Sequence, residues 1–368
     1  MIPVSTPLFI SNEKKYVAQC IDSGWVSSEG PYVKEFEERF AKFCGRKYGV
    51  AVSSGTAALE VAMGVLGLKP GDEVIMPTFT IISCPFAVMQ YGLIPVFVDA
   101  DPQTWTIDTA KIEEKITKRT RAIMAVHIYG HPCDMDPLSR IAKKYKLKVI
   151  EDAAEAHGAE YKKKKCGSFG DISCFSFYAN KIISTGEGGM IVTDSKAYAE
   201  KAQLLRDLGF DKKRKYIHET LAKNYRMTNL QAALGVAQTK NIEKLVAMKR
   251  KNGTYYTKKL QKIPGLQLPV EMPWAKNVYW MYGIVLDEST GYTAETFMSA
   301  LAKKGIGTRH FFYPLHLQPI LKREGIKSRG EYPVAERIAK QGLYLPSGLG
   351  LRNREIDKVC QEVANALV

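Results

Sequence analysis

Residues 47 to 208 alternate short, almost continuously apolar runs with stretches of helical pattern. The apolar runs predict strands at 48–53, 73–77, 95–98, 121–127, 148–150, 172–177 and 190–192. The intervening segments predict helices at 56–66, 85–90, 109–116, 137–145 and 196–208. Apolar strands that alternate with helices are typical of a largely parallel sheet covered by helices on both faces. The alternation therefore predicts an α/β domain.

The C-terminal third of the chain has a different pattern. Apolar residues recur every three or four positions over 229–261, which predicts one long helix. Beyond Pro264, a strand at 278–286 and a segment at 307–312 mix with helices at 293–303, 334–340 and 355–367. This mixture predicts a smaller α+β domain and a boundary near residue 240. The large domain then covers 1–240, with about the first 30 residues as an N-terminal arm, and the small domain covers 241–368.

The 368 residues are 45% hydrophobic and 25% charged, which excludes a disordered chain, a collagen and a small disulfide-stapled domain. Seven cysteines, an odd number without regular spacing, are typical of reduced thiols in a cytosolic protein. Met1–Lys15 has no basic stretch ahead of an apolar run, and no window approaches the roughly 18 apolar residues of a membrane span. We therefore expect a soluble cytoplasmic protein with no membrane partner.

The chain carries 53 basic and 38 acidic residues, a net charge of +15, which favours an anionic partner such as nucleic acid or a phosphorylated small molecule. Its lysines are spread along the chain, whereas nucleic-acid-binding proteins concentrate them on one element with interleaved aromatic residues. We interpret most of this charge as a solvated surface and expect no nucleic-acid partner. His127, His131 and Cys133 come nearest to a metal pattern, but no second ligand pair has matching spacing, so we expect no metal.

In open parallel sheets, ligands bind outside the carboxyl ends of the strands, and four polar segments fall at such positions. The first, Ser53–Ala58, joins a strand to a helix, where free N–H groups and the positive helix end can bind phosphate. The same residue types are also ordinary helix caps. The second, Val149–His157, places acidic groups at the end of a buried strand, which is costly unless they are paired or catalytic. Within it, Asp152 suits a positively charged cofactor ring, a helix cap or a core hydrogen bond.

The third segment, Ser176–Gly189, holds Lys181 between an apolar strand and a glycine-rich turn, with no adjacent acid. A lysine in such a position can lose its proton and form a Schiff base. The fourth, Asn224–Asn229, places polar groups just before the predicted long helix. Each segment alone has an ordinary structural explanation, and it is their order and spacing that carry information.

The ordered set SSGTAAL, EDAAEAHGA, SFYANKIISTGEGGM and NYRMTNLQAALG resembles the DegT-type nucleotide-sugar aminotransferases, fold-type I enzymes that use pyridoxal 5′-phosphate (PLP). The resemblance covers nearly the whole chain, from 21–31 through 71–75 and 127–131 to 344–347. Within the family, the third and fourth segments and Phe311–His316 are most similar to GDP-perosamine synthases. The resemblance implies the fold of type I PLP-dependent transferases, with a mostly parallel seven-stranded sheet between helices and a smaller α+β domain.

The resemblance also assigns cofactor-binding roles. Lys181 corresponds to the lysine that holds PLP as a Schiff base and then moves a proton, and Asp152 to the aspartate that pairs with the pyridine nitrogen. Glu155 occupies a position where many members have a glutamine that faces the ring oxygen. The groups that correspond to the phosphate site are Ser54, Gly55, Thr56 and Ser176. Ile81 occupies a position where an aromatic side chain commonly stacks on the ring.

For subunit contacts and substrate the resemblance implies further residues. Asn224 resembles an asparagine that reaches the PLP phosphate of the neighbouring subunit, which implies a homodimer with shared active sites, or a higher oligomer built from it. Trp25, Tyr313 and His316 lie in segments that line the substrate side of similar enzymes. In the cationic run 212–218, Arg214 is the favoured partner for a diphosphate, although the lysines there also fit a solvated surface.

The implied reaction moves an amino group from L-glutamate, through PLP, to a nucleotide-linked 4-keto-6-deoxy sugar, most similarly GDP-4-keto-6-deoxy-D-mannose. Three alternatives stay open. A UDP- or dTDP-keto-sugar aminotransferase of the same family differs only in its substrate. A pyridoxamine-dependent dehydratase has a similar fold, but those enzymes replace the lysine with histidine. A nucleic-acid-binding or regulatory protein could use the positive charge.

Overall fold

A computed structural model describes residues 1–210, 214 and 216–367. The α-helices are α1 Glu13–Asp22, α2 Pro31–Phe43, α3 Gly55–Leu66, α4 Ser83–Met89, α5 Met135–Tyr145, α6 Lys196–Arg206, α7 Asn229–Thr239, α8 Ile242–Leu260, α9 Ala294–Lys303, α10 Pro319–Arg323, α11 Pro333–Gln341 and α12 Asn353–Leu367. The strands are β1 Tyr48–Val52, β2 Glu73–Pro77, β3 Ile94–Val98, β4 Thr120–Val126, β5 Lys148–Asp152, β6 Glu160–Tyr161, β7 Lys164–Lys165, β8 Ile172–Ser176, β9 Gly189–Thr193, β10 Leu266–Gln267, β11 Ala275–Lys276, β12 Gly283–Leu286, β13 Arg309–His310 and β14 Gly342–Tyr344.

Seven of the strands form a central sheet in the spatial order β1, β9, β8, β5, β4, β2, β3. The pairs of β2 with β3 and β4, β4 with β5, and β5 with β8 are parallel, whereas β9 runs antiparallel to both of its neighbours. These strands are buried almost throughout, because helices cover them on both sides. The predicted α/β fold with a mostly parallel seven-stranded sheet is confirmed. In this sheet the carboxyl ends of β4, β5 and β8 lie side by side.

The helix that begins the first crossover has clear end signals. Ser54 is its N-cap, in an extended conformation, and its hydroxyl oxygen accepts a hydrogen bond from the N–H of Ala57. At the other end Gly67 adopts φ 68°, which ends the helix at little steric cost. The carboxyl end of β1 is therefore followed directly by a rigid 12-residue helix.

The structure differs from the sequence prediction in three segments. The helix predicted at 109–116 is two short 3₁₀ turns, because the N–H groups of Ile112, Lys115 and Ile116 donate to carbonyl oxygens three residues earlier instead of four. The long helix predicted at 229–261 is broken at Asn241 (φ −117°, ψ 9°) into α7 and α8. The N-terminal arm, which stays a prediction, contains α1, and α2 follows it. The strand predicted at 278–286 begins only at Gly283.

Residues after α8 build a second, four-stranded sheet in the order β10, β12, β14, β13. Its core with α8, α9 and α12 includes Leu260, Ile284, Phe297, Leu343 and Val359. The domain boundary near residue 240 stays a prediction. Within the part of the chain that the structure describes, no helix combines the length and the apolar character that crossing a bilayer requires. All seven cysteines are free and buried.

Candidate active site

Lys181 lies in the loop that follows β8, where its backbone N–H donates to the carbonyl oxygen of Tyr178 at 2.9 Å. Its side chain is only 9% exposed, and Nζ lies 3.6 Å from Oε1 of Glu155. Burial lowers the pKa of Lys181 below its usual value, although the carboxylates of Glu155 and Asp152 oppose this shift. A lowered pKa raises the fraction of free amine near neutral pH, which a lysine needs to act as a nucleophile.

Asp152 is the last residue of β5 and is buried. Its Oδ1 accepts a hydrogen bond from the N–H of Ala154 at 3.1 Å, and its Oδ2 accepts one from the thiol of Cys84 at 3.2 Å. Burial raises the pKa of Asp152, while these two hydrogen bonds and Lys181 counteract the increase. A thiol is a weak donor, so this buried carboxylate retains the capacity to bind a strong cationic donor such as a protonated ring nitrogen.

The preceding acid, Glu151, points to the opposite face of the sheet, as alternate residues of a strand do. Its carboxylate accepts hydrogen bonds from the N–H groups of Gly167 and Gly170, both at 2.7 Å, and pairs with Nε2 of His127 at 3.0 Å. Burial raises the pKa of Glu151, but these partners outweigh it and hold the pKa at about 2. The two acids that the sequence places together thus divide into a structural carboxylate, Glu151, and a site carboxylate, Asp152.

His127 is fully engaged by this structural role, because its Nδ1 also accepts a hydrogen bond from the N–H of Cys133 at 3.0 Å. His131 is buried as well, with Nδ1 2.7 Å from the carbonyl oxygen of Pro132. Among residues 1–210, 214 and 216–367, no group of three or more metal-ligating side chains is arranged to bind a metal.

Glu155 completes a three-residue cluster with Lys181 and Asp152. It is buried, and its Oε2 accepts a hydrogen bond from the backbone N–H of Tyr129 at 2.7 Å. Burial raises the pKa of Glu155 to about 7, against the opposing effect of Lys181. The carboxyl group is therefore partly protonated near neutral pH and can either donate or accept a proton there.

The predicted phosphate residues come together at the N-terminus of α3. A Cβ atom on Gly55 would lie 2.7 Å from Cβ of Ser176, so only glycine allows the helix to approach the end of β8 this closely. The hydroxyl of Thr56 donates to Oγ of Ser83 at 2.9 Å. The first N–H groups of a helix have no intrahelical partner, and the helix dipole favours an anion there. The corner formed by Ser54, Gly55, Thr56 and Ser176 is thus suited to a phosphate group.

The predicted substrate residues are more dispersed. Trp25 and Tyr313 are 52% and 56% exposed. Ile81, which is predicted to cover the cofactor ring, lies in the loop after β2 and is 39% exposed. His316, by contrast, is buried, with Nδ1 2.8 Å from Oγ1 of Thr78 and Nε2 3.0 Å from Oε1 of Glu336. Since both of its ring nitrogens have protein partners, a direct contact with substrate requires that one of these interactions breaks.

Trp25 and Asn224 lie at a separate cleft of about 1360 Å³. Its lining includes Trp25, Arg206, Asp207 and Arg226 but not Lys181. Asn224 is exposed, and its backbone pairs with Asp207 at the edge of this cleft. An exposed position is what a residue that serves a neighbouring subunit requires.

Arg214 is exposed and forms an ion pair with Glu219. The predicted cations Lys212, Lys213 and Lys215 lie outside the described residues.

Sequence reasoning missed three residues that contact the cluster. The thiol of Cys84, on α4, donates a hydrogen bond to Asp152, and the backbone N–H of Tyr129 donates one to Glu155. Trp280 places the centroid of its ring 3.6 Å from Nζ of Lys181. A periodic pattern contains no signal for such contacts. Because the pattern predicts a strand at 278–286, the contact of Trp280 with Lys181 is not expected from it.

The family model of the DegT/DnrJ/EryC1/StrS aminotransferase family matches residues 8–364. The GDP-perosamine synthase of Caulobacter vibrioides is 42% identical over all of this chain and 98% of the relative. The GDP-perosamine synthase of Escherichia coli O157:H7 is 41% identical over 98% of this chain and 97% of the relative.

Two solved structures are also similar over nearly the full chain. DesI, crystallised in the presence of its TDP-sugar product, is 31% identical with a TM-score of 0.91, and the match covers 100% of this chain and 93% of DesI. DesV of S. venezuelae, crystallised in complex with a ketimine intermediate, is 33% identical with a TM-score of 0.90, and the match covers 98% of each chain.

Proposed function

The chain belongs to the DegT/DnrJ/EryC1/StrS aminotransferase family, and on this basis we propose that it aminates a nucleotide-linked 4-keto-6-deoxy sugar with L-glutamate as the amino donor. The proposed substrate is GDP-4-keto-6-deoxy-D-mannose and the proposed product is GDP-perosamine, a precursor of surface polysaccharide. The observation that carries the proposal is the nearly buried amine of Lys181 beside the carboxyl groups of Glu155 and Asp152. Full-length identity of 42% to a GDP-perosamine synthase supports the choice of sugar.

The donor set of the site fits PLP. The site has an amine with a lowered pKa and a buried acid whose side-chain partner is a weak thiol donor. It also has a helix N-terminus at Gly55, where the close approach of Ser176 leaves no room for a side chain. These three features match the aldehyde, the pyridine nitrogen and the phosphate of the cofactor. Lys181, Asp152 and the corner Ser54, Gly55, Thr56 and Ser176 would hold them respectively. When bound, PLP supplies an electron sink and carries the amino group between donor and acceptor.

The chain's own residues have separate tasks in this reaction. Nζ of Lys181, with its lowered pKa, takes up and returns a proton at the reacting carbon. Asp152 holds a positive charge at the end of β5, since its raised pKa reflects an unfavourable burial that a cationic partner relieves. Glu155, with a pKa of about 7, can hold a proton beside Lys181. Phe79 and Trp280, both buried, exclude water from this end of the sheet.

A second candidate differs in the nucleotide. The candidates are a dTDP- or a UDP-keto sugar, and the similarity to DesI, whose structure was solved with a TDP-sugar product, favours the dTDP-linked one. The catalytic cluster has the same tasks in both cases, because the nucleotide is remote from the carbon that is aminated.

Incubation with L-glutamate and a panel of 4-keto and 3-keto nucleotide sugars tests the proposal. We expect kcat/KM for GDP-4-keto-6-deoxy-D-mannose to exceed the values for the UDP and dTDP sugars by at least about tenfold, because a site built for one base leaves polar groups unpaired with another. Mass spectrometry identifies the amino sugar, and 2-oxoglutarate should form in equal amount. Preference for a UDP or dTDP sugar would instead support the second candidate. Release of ammonia or water without an amino donor would indicate a dehydratase.

We further propose that the protein is a homodimer in which Asn224 reaches the phosphate corner of its neighbour, a role supported by its exposure. Mixing two inactive variants tests this arrangement. Lys181→Ala removes the amine from one subunit, and Asn224→Asp places a negative charge against the neighbour's phosphate. In a mixed dimer with shared sites, one site carries both defects and the other is intact. We therefore expect activity to return to about one quarter of the wild-type value after subunit exchange.

In the same experiment, Lys223→Ala is the control for Asn224→Asp, since it changes an adjacent, partly exposed residue. No recovery in the mixture would mean that Asn224 serves its own subunit. A monomer in sedimentation at the assay concentration would refute the dimer.

A further inference from the structure

The segment 277–281 runs against the loop after β4 instead of forming a strand. The N–H of Val278 donates to the carbonyl oxygen of Gly130 at 3.1 Å, and the N–H of Trp280 donates to that of Tyr129 at 2.9 Å. Tyr129 and Gly130 have φ values of 51° and 93°. A Cβ on Gly130 would lie 2.6 Å from Cγ2 of Val278 and 3.0 Å from the backbone nitrogen of Trp280. The backbone of Trp280 is therefore fixed by close contacts that leave little room for displacement.

The indole of Trp280 is fixed as well. The residue is 4% exposed, and its Nε1 donates to the carbonyl oxygen of Asn180 at 2.9 Å. Its ring lies nearly parallel to that of Tyr129, at an interplanar angle of 24° and a centroid distance of 6.4 Å. The indole thus bonds to the residue that immediately precedes Lys181 and leaves one ring face towards the lysine side chain.

That face lies against the reactive amine. Nζ of Lys181 is 3.6 Å from the centroid of the Trp280 ring, within the range of a cation–π interaction. On another side of the amine, Oε1 of Glu155 lies 3.6 Å away, longer than a normal hydrogen bond. The other oxygen of Glu155 is held by the N–H of Tyr129, the residue whose carbonyl oxygen binds Trp280. The indole and the carboxylate that flank Lys181 are therefore held by the same backbone unit.

We propose that Trp280 is a positioning residue for Lys181. The indole face of Trp280 binds the protonated amine of Lys181, and its Nε1 fixes the backbone just before the lysine. The proposal deepens the proposed function, on which it rests, because it concerns the amine that the reaction uses. In the cofactor-free protein, Nζ of Lys181 has a defined position over the ring, where the indole face stabilises its protonated form against the effect of burial. Trp280 lies about 100 residues further along the chain than Lys181, so a segment distant in sequence contributes a side chain to the surroundings of the lysine.

Competitive labelling of the amine tests the role of Trp280 in the full-length, cofactor-free protein. A limiting amount of acetic anhydride is added over a range of pH, and peptide mass spectrometry measures the labelled fraction of Lys181. Trp280→Leu removes the aromatic face but keeps the site apolar, whereas Trp280→Phe keeps an aromatic face and loses the Nε1–H bond. Trp274→Leu is the matched control, since Trp274 packs on Tyr161 and His131 instead.

Loss of a desolvated cation–π interaction favours the neutral amine, so we expect the pH midpoint of Lys181 labelling to fall by about one unit in Trp280→Leu. It should stay close to the wild-type value in Trp280→Phe and in Trp274→Leu. A midpoint in Trp280→Leu that stays or rises would overturn the proposal, even if its melting temperature falls, because a purely structural tryptophan changes stability without changing the charge state of the amine.

A second arm separates this proposal from the proposed function. Adding PLP before labelling should protect Lys181 in the wild-type protein. If PLP leaves Lys181 unprotected, the assignment of the cofactor lysine fails whatever the midpoints show. If PLP protects Lys181 but the midpoint of Trp280→Leu is unchanged, only the role of Trp280 fails.

Discussion

Replacing Lys181 by alanine is expected to reduce turnover by roughly 10⁴-fold or more, because one amine acts both as the cofactor attachment point and as the proton carrier. The structure gives the physical basis: Nζ is nearly buried, its pKa is lowered by burial, and carboxyl groups of Glu155 and Asp152 lie beside it. The measurement is the initial rate of 2-oxoglutarate formation from L-glutamate and the keto sugar, together with the visible absorbance of the protein after PLP is added. Both should be lost.

Two further variants make this result specific. Lys181→Arg keeps a positive charge, but a guanidinium does not lose its proton in proteins, so it should be as inactive as the alanine variant. Lys162→Ala removes a lysine that is 55% exposed and pairs with Asp136 at the surface, and it should keep full activity. Retention of more than about a tenth of wild-type turnover by Lys181→Ala would be incompatible with the assigned chemistry.

The sequence predicts the parts of the site that depend on local pattern. Buried strands end in polar residues at Asp152 and Ser176, and a parallel sheet brings such ends together. The helix cap at Ser54 follows from its residue type and position. For these residues the short-range pattern and the topology of the sheet agree, so the sequence predicts their proximity.

The rest of the site depends on contacts between distant segments, which periodicity does not encode. Trp280 contacts Lys181 because residues 129 and 130 have positive φ values and their carbonyl oxygens bind N–H groups of the segment 277–281. Cys84 contacts Asp152 from the helix α4. His316 shows how the fold adds partners that the sequence does not predict, and its substrate role stays a prediction. Its motif suggests a substrate contact, yet the fold places it between Thr78 and Glu336, where its ring nitrogens are paired.

Fold prediction failed for a related reason at Asn241. The apolar spacing of 229–261 continues through that residue, so the pattern predicts one helix. Asn241 leaves the helical conformation, and its side-chain Nδ2 donates to Oγ of Ser11 at 2.8 Å and to the carbonyl oxygen of Ala237 at 3.0 Å. Asparagine competes well for backbone groups in non-helical conformations, and here a partner from the N-terminal segment adds to that tendency.

Asp152→Asn should lower turnover by about 10²- to 10³-fold while leaving PLP bound through its phosphate and Lys181. A neutral amide cannot stabilise a positive charge at the ring nitrogen, so the electron-accepting capacity of the ring falls. The rate and the retained cofactor after gel filtration measure the two effects separately. Asp171→Asn, which changes a partly exposed carboxylate paired with Lys148, is the control and should keep near-normal turnover.

Asp152→Asn should also affect stability in a way that differs from the replacement of an ordinary structural acid. Burial raises the pKa of Asp152 in the folded chain above its unfolded value, so the folded state binds more protons and its stability falls as pH rises through that interval. At pH 7 the ionised carboxylate therefore destabilises the cofactor-free protein, and Asp152→Asn removes this cost. We expect its melting temperature without PLP to equal or exceed that of the wild type. A clear decrease, with turnover within about threefold of normal, would show that Asp152 is retained for folding and not for binding a cationic ring.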